Sequence, residues 1–158
     1  MIALIQRVTQ CRVEVAGATV AVGGRGILAL IGIESGDDIH SGGRLLERVL
    51  SYRIFPDDAG KMNLDLRQID GDLVLVPQFT LVADTSRGTR PGFSGGAAPA
   101  VARELFAALI TNARSAYPRI AAGEFGADMQ VSLTNDGPVT FNLRVPPNTG
   151  PQAGAEPG

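Results

Sequence analysis

Gly23-Gly24-Arg25-Gly26-Ile27-Leu28-Ala29-Leu30-Ile31-Gly32-Ile33 is the stretch on which the fold class turns. A glycine-rich loop opening a helix would mark a phosphate cradle in a doubly wound sheet. Here the glycines lack the Gly-x-x-x-x-Gly-Lys spacing and lead into a continuous apolar run, Ile27–Ile33. Such a run reads as a strand buried on both faces. The glycines are turn signals.

Upstream, Ile2–Val8 and Cys11–Val15 are short β-rich runs, and Gly17 is a further turn signal. Downstream, Asp37-Asp38 opens a helix of roughly Ile39–Tyr52, with Leu45, Leu46, Val49 and Leu50 as its apolar face. Strands are expected at Arg53–Phe55 and Met62–Leu66, on either side of the loop Pro56–Gly60. Asp70-Gly71 reads as a hairpin turn into a buried strand, Leu73–Val76. A polar, Gly-rich loop, Asp84–Gly96, precedes a second helix of about Ala97–Ala116, with Val101, Leu105, Ala108 and Leu109 on one stripe. A last strand pair, Met129–Leu133 and Val139–Val145, is joined by Thr134–Pro138. About eight strands and two helices, with strands before and after each helix, predict an α+β fold with the helices packed on one face.

The chain has 158 residues, 44% of them apolar and 19% charged, which suits one globular domain. That domain is expected over residues 1–145. Pro146–Gly158 holds four Pro and three Gly with no large apolar side chain, and reads as a disordered tail. One Cys and one His, His40, exclude an intramolecular disulfide and a Cys/His zinc site, and leave little for a Ser-His-Asp machine. Carboxylates are scattered without ligand spacing, so neither a metal nor another cofactor is expected. Net charge is −2 and no run of basic residues occurs, so DNA is not an expected partner. A small ligand or one end of a nucleic acid remains open. No signal-like or membrane-spanning apolar segment appears, so a cytoplasmic location off the membrane is expected.

Two segments could carry chemistry. In Pro77-Gln78-Phe79-Thr80-Leu81 an apolar strand abruptly presents an amide, a ring and a hydroxyl. Either the strand leaves the core with Gln78 and Thr80 facing water, or Thr80 and the N–H groups of Phe79 and Thr80 face a pocket as oxyanion donors. In Asn135-Asp136-Gly137-Pro138, either an ordinary hairpin corner forms, or a rigid backbone prong forms around a cis Gly-Pro bond. No base stands near Thr80 in sequence, which disfavours a threonine nucleophile.

At these segments the sequence resembles the D-aminoacyl-tRNA deacylases, formerly called D-tyrosyl-tRNA deacylases, from Met1 to about Val145. The resemblance also rests on Ile5-Gln6-Arg7-Val8, Arg53-Ile54-Phe55, Gly60-Lys61-Met62-Asn63, Ala83-Asp84-Thr85, Arg90-Pro91 with Phe93, Phe125–Met129 and Val139-Thr140. It implies a homodimer with a barrel-like mixed sheet and two main helices outside it. It implies hydrolysis of the ester of D-aminoacyl-tRNA, and of mischarged glycyl-tRNA, with L-aminoacyl-tRNA rejected. The Gly137-Pro138 oxygens would enter the partner's pocket, hold the amino group and exclude an L side chain. Gln78, Phe79 and Thr80 would form the catalytic wall, and Arg7 would buttress the prong, of which Asn135 is the first residue. Phe125 and Met129 would receive the terminal adenine, unless they are only core packing. Either Thr80 attacks the ester or the terminal adenosine's 2′-hydroxyl assists, and the missing base favours the second. The chain departs from the pattern at Pro77, where the family commonly has Ser, and so lacks a hydroxyl and an N–H there.

Overall fold

The first strand organises the sheet, because it is long enough to serve three partners. The computed structural model describes residues 1–147, so most of the tail expected at Pro146–Gly158 lies outside the described residues. Strand β1 (Ile2–Val15) runs antiparallel to β8 (Met129–Arg144) along its whole length, from Ile2↔Arg144 to Val15↔Met129. Its other edge is divided: residues 2–8 pair with β3 (Gly26–Gly32), and residues 11–15 pair with β2 (Ala18–Gly23). Beyond β3 follow β6 (Asp72–Pro77) and β7 (Ile120–Ala122), both added in parallel. β2 packs back against β6 and β7, so the six-stranded sheet curls into a nearly closed barrel. Strands β4 (Phe55–Pro56) and β5 (Met62–Leu64) make a separate ribbon.

The two N-terminal runs are thus one strand. Strict alternation would place Cys11 and Val13 on the face of Ala3 and Ile5. Register breaks on either side of Val8 reverse that phase. Ala3 and Ile5 therefore face the helices, whereas Val8, Cys11 and Val13 fill the barrel interior. The hairpin from β1 to β2 closes through Ala16 and Gly17 at φ 49 and 78, a left-handed pair that matches strand twist.

The Ile27–Ile33 run is buried on both faces, as expected. Ile27, Ala29 and Ile31 meet the helix layer, and Leu28 meets the barrel interior. Gly26 is glycine because any Cβ there would fall 1.9 Å from the Asp72 carbonyl oxygen on β6. The neighbouring loop binds a carboxylate of its own chain, since Gly24 N–H donates to Asp72 Oδ2 at 2.6 Å.

Helices α1 (Ile39–Leu50) and α2 (Pro99–Ala116) cover the outer face. α1 begins with a capping box in which Asp38 Oδ1 accepts from Ser41 N–H and Ser41 Oγ accepts from Asp38 N–H. Asp37, expected beside it at the positive helix end, is committed elsewhere. It takes the Met1 ammonium at 2.6 Å, which also donates to Glu34 Oε2 at 3.0 Å and the Val145 carbonyl at 2.7 Å.

Four local expectations change. The buried stripe of α2 is Phe106, Leu109, Ile110 and Ala113, with Val101 exposed, because the C-terminal half of the helix makes the core contact. Asp70-Gly71 closes no hairpin, since β5 and β6 belong to different sheets. Thr134–Pro138 is not a corner but lies inside the single strand β8. The total of eight strands holds, yet β2 and β7 take the places of two that merged. No helix among the described residues is long and apolar enough to cross a membrane.

Candidate active site

The end of β6 builds the first part of the site. Pro77 still pairs with Ile31, and Gln78 N–H donates to the Ile31 carbonyl at 2.7 Å. The chain then tightens into a 3₁₀ turn, Phe79–Val82, that leaves the sheet. The first N–H groups of such a turn have no acceptor within it. Those of Phe79 and Thr80 are engaged by no other group among the described residues. Gln78 Nε2 donates to Thr80 Oγ1, which ties the amide across the turn.

Beside this turn lies a pocket of about 580 Å³. Gln78, Phe79, Phe93, Phe125 and Met129 line it, with Pro77 at the strand end. Phe79 is 67% exposed and Phe93 44%, and their rings meet at 5.3 Å between centroids. Phe125 is held from behind by Phe106 at 6.2 Å and by the Arg103 guanidinium, 5.0 Å from its ring centre. Met129 packs on the barrel core while its sulfur accepts from Glu124 N–H at 3.4 Å. Phe125 and Met129 therefore present one side to the protein and the other to the pocket. The walls are apolar and aromatic, with one amide at the lip.

Thr80 is exposed and is not among the lining residues, so Gln78 and Phe79 reach the pocket without it. Among the described residues, no acidic or basic side chain bonds to its hydroxyl. His40 is exposed on the first turn of α1, away from the lining. Cys11 is buried in the barrel, where desolvation, reinforced by the Asp72 charge, pushes its thiol up to about 11. Among the described residues, no three His, Cys, Asp or Glu side chains gather where they could hold a metal ion.

The remaining residues singled out from the sequence form a second cluster. Arg7 is 12% exposed and spans two carbonyls, donating from Nη1 to Ile54 at 2.7 Å and from Nε to Asp136 at 3.0 Å. Its Nε also lies 3.3 Å from the Asp136 carboxylate. Asn135 folds over the same loop, accepting from Val139 N–H at 2.8 Å and donating to Thr140 Oγ1 at 2.8 Å. Between these anchors the Gly137-Pro138 peptide bond is cis, and both residues are exposed. Gly137 has φ +137, a region closed to most side chains, and a Cβ there would fall 2.7 Å from Val139 Cγ2. None of these four residues lines the pocket of their own chain. Their roles are backbone positioning, and both hydrogen-bonding ends of the Asn135 side chain are already used internally.

Phe93 was the least legible part of the pocket. It stands in a polar, Gly-rich loop thirteen residues after Thr80, and only its being aromatic there signals a ring partner such as Phe79. The start of α2 also contributes lining at Pro99 and Ala102, on a helix face whose apolar pattern is too short to read.

Comparison with known proteins assigns the chain. The family model described as D-Tyr-tRNA(Tyr) deacylase matches residues 4–144. A D-aminoacyl-tRNA deacylase of Nitrosococcus oceani is 56% identical over 147 residues, covering 93% of this chain and 95% of its own. That of Haemophilus influenzae is 53% identical over 145 residues, covering 92% and 100%. Among solved structures, the c-Myc DNA unwinding element binding protein superposes with TM-score 0.88 at 34% identity, covering 92% of this chain and 99% of its own. A probable eukaryotic D-amino acid tRNA deacylase shares the fold, with TM-score 0.77 at 17% identity and coverage of 90% and 98%. With that match spanning the sheet, the pocket and the Asn135–Pro138 loop alike, the chain belongs to the D-Tyr-tRNA(Tyr) deacylase family, a family of hydrolases.

Proposed function

We propose that the protein hydrolyses the ester between a D-amino acid and the 3′-terminal ribose of tRNA, using the pocket beside Gln78-Phe79-Thr80. The observation that carries this reading is the pocket wall. Phe79, Phe93, Phe125 and Met129 offer apolar surfaces suited to a stacked base, and about 580 Å³ is ample for a terminal nucleoside. Family membership supplies the ester chemistry. Water adds to the ester carbonyl carbon, the bond to the ribose oxygen breaks, and that oxygen takes the proton. The N–H groups of Phe79 and Thr80 are the donors for the oxyanion formed on the way. With no base bonded to Thr80 among the described residues, the adenosine's own 2′-hydroxyl assists the attack, and Thr80 helps only to hold the turn.

The exposed Gly137-Pro138 pair acts in the pocket of a second copy of the chain, so the working unit is a homodimer in the cytoplasm. Its main-chain oxygens bind the substrate amino group and leave no room for an L side chain. Glycine, with no side chain, passes the same filter, so glycyl-tRNA is also a substrate. Arg7 and Asn135 position this prong, and residues 1–145 suffice for the reaction.

Side-by-side deacylation of D-Tyr-tRNA and L-Tyr-tRNA tests the reading. Rapid loss of the D ester alone is expected. Equal rates on both would overturn the chirality filter, and no rate on either would overturn the activity. Thr80→Ala is expected to keep most of kcat, whereas a tRNA ending in 2′-deoxyadenosine should react slowly. A dead Thr80→Ala enzyme with an intact response to the deoxy substrate would make Thr80 the nucleophile.

A further inference from the structure

We infer that the loop between Asp84 and Gly92 grips the backbone phosphates of the unpaired 3′ strand of tRNA through Arg87 and Arg90, an inference that rests on the proposed reading of the pocket. The first ground is which cations are free. Of the fourteen Lys and Arg residues, most are engaged within the chain. Arg7, Arg12, Arg67, Arg119 and Arg144 pair with carboxylates. Arg44, Arg48, Arg53 and Arg103 donate to carbonyls, and Arg25 lies over the Phe55 ring. Among the described residues only Lys61, Arg87, Arg90 and Arg114 have no such partner. Lys61 and Arg114 stand alone, while Arg87 and Arg90 share one loop.

The second ground is where that loop is fixed. Asp84 and Gly92 exchange backbone hydrogen bonds of 2.7 and 3.0 Å, so residues 85–91 form a closed excursion with a firm base. Immediately after the base, Phe93 enters the pocket wall against Phe79, and Gly96 lines the same pocket. The excursion turns through Gly88 at φ +65. Its tip lies four residues from either side of its base, which limits its reach to about 14 Å. A strand leaving the pocket passes that tip within its first few nucleotides, before any duplex begins.

The third ground is composition. The excursion reads Thr85-Ser86-Arg87-Gly88-Thr89-Arg90-Pro91, with two guanidinium groups, three hydroxyls and no acid. The carboxylate at its base, Asp84, is occupied by Ser86 N–H at 2.9 Å. Guanidinium forks and hydroxyl donors suit phosphate oxygens. A protein of net charge −2 gains little attraction for RNA from its overall field, so such local contacts matter more.

Equilibrium binding of uncharged tRNA, measured over a range of salt concentrations, tests the inference without relying on turnover. Each phosphate contact to a single strand contributes about 0.7 to the slope of log affinity against log salt. The double variant Arg87→Gln/Arg90→Gln should therefore lower that slope by about 1.4. Wild-type protein binding a tRNA stripped of its unpaired 3′ nucleotides should lose the same amount. Hydrolysis of D-tyrosyl-adenosine, which lacks those phosphates, should be unchanged in the double variant. An unchanged slope, or no tRNA binding by the wild-type protein, would overturn the inference. So would an equal loss on D-tyrosyl-adenosine, because the loop would then serve the pocket alone. Failure of wild-type protein to hydrolyse D-tyrosyl-adenosine or D-Tyr-tRNA would overturn the proposed activity instead, while the binding slope would still decide the loop.

Discussion

Gly137 sits where both conformation and space demand glycine, so a single methyl group is an informative perturbation. At φ +137 an alanine is strained, and its Cβ would press on Val139 Cγ2 at 2.7 Å. Gly137→Ala should cost about 1–3 kcal/mol of stability. Under the proposed mechanism it should also lower kcat/KM on D-Tyr-tRNA by at least tenfold, which thermal melts and deacylation rates would separate. Arg7 permits a complementary test. Arg7→Ala leaves the Ile54 and Asp136 carbonyls without their shared donor and should destabilise the fold by about 2 kcal/mol. Arg7→Lys keeps the charge but cannot span both carbonyls, so urea melts should place it between wild type and alanine.

Elements show how far the sequence could be read. β3 is legible because both of its faces are buried, so its apolar run needs no phase information. The helix start at Asp38 is legible from its capping chemistry. β1 and β8 are misread at the same level of the sheet, where the register breaks around Val8 face Asn135–Pro138. Turn-forming residues there interrupt a strand without reversing it: Pro138 has no N–H to give the ladder, and the Asn135 side chain ties the loop by accepting from Val139 N–H and donating to Thr140 Oγ1. The candidate site divides similarly: Gln78 and Phe79 are visible as polar and aromatic residues ending an apolar strand, whereas their partner Phe93 depends on a long-range contact. The loop before α1 carries a pH prediction. Burial alone would raise the Glu34 carboxyl, but hydrogen bonds from Arg144 and the Met1 ammonium outweigh it and hold the group below its ordinary value of 4.5. A carboxyl depressed in the folded state stabilises above its unfolded pKa, and that contribution disappears as pH falls through the lower folded value. Glu34→Gln should therefore cost about 2 kcal/mol at neutral pH, and the gap to wild type should close below about pH 4.5. Urea midpoints at several pH values would check this.

At the scale of the whole molecule, the proposed dimer explains why the two halves of the candidate site lie apart in one chain. Sedimentation equilibrium should give twice the 16.5 kDa chain mass. Mixing a Gly137→Ala chain with a Phe79→Ala chain, which has lost part of its pocket wall, should restore activity in about half of the mixed dimers' sites, a result a monomeric enzyme cannot give. Deleting everything after Pro147 should leave deacylation rates unchanged.

The barrel interior offers a separate way to watch the molecule. Its only thiol, Cys11, is both covered and held protonated, so the folded protein should behave toward maleimides as though it had no cysteine. A fluorophore placed by Thr89→Cys would then report on the arginine loop alone. Slow trapping of Cys11 itself would time each opening of the barrel, turning one inert side chain into a stopwatch for global breathing.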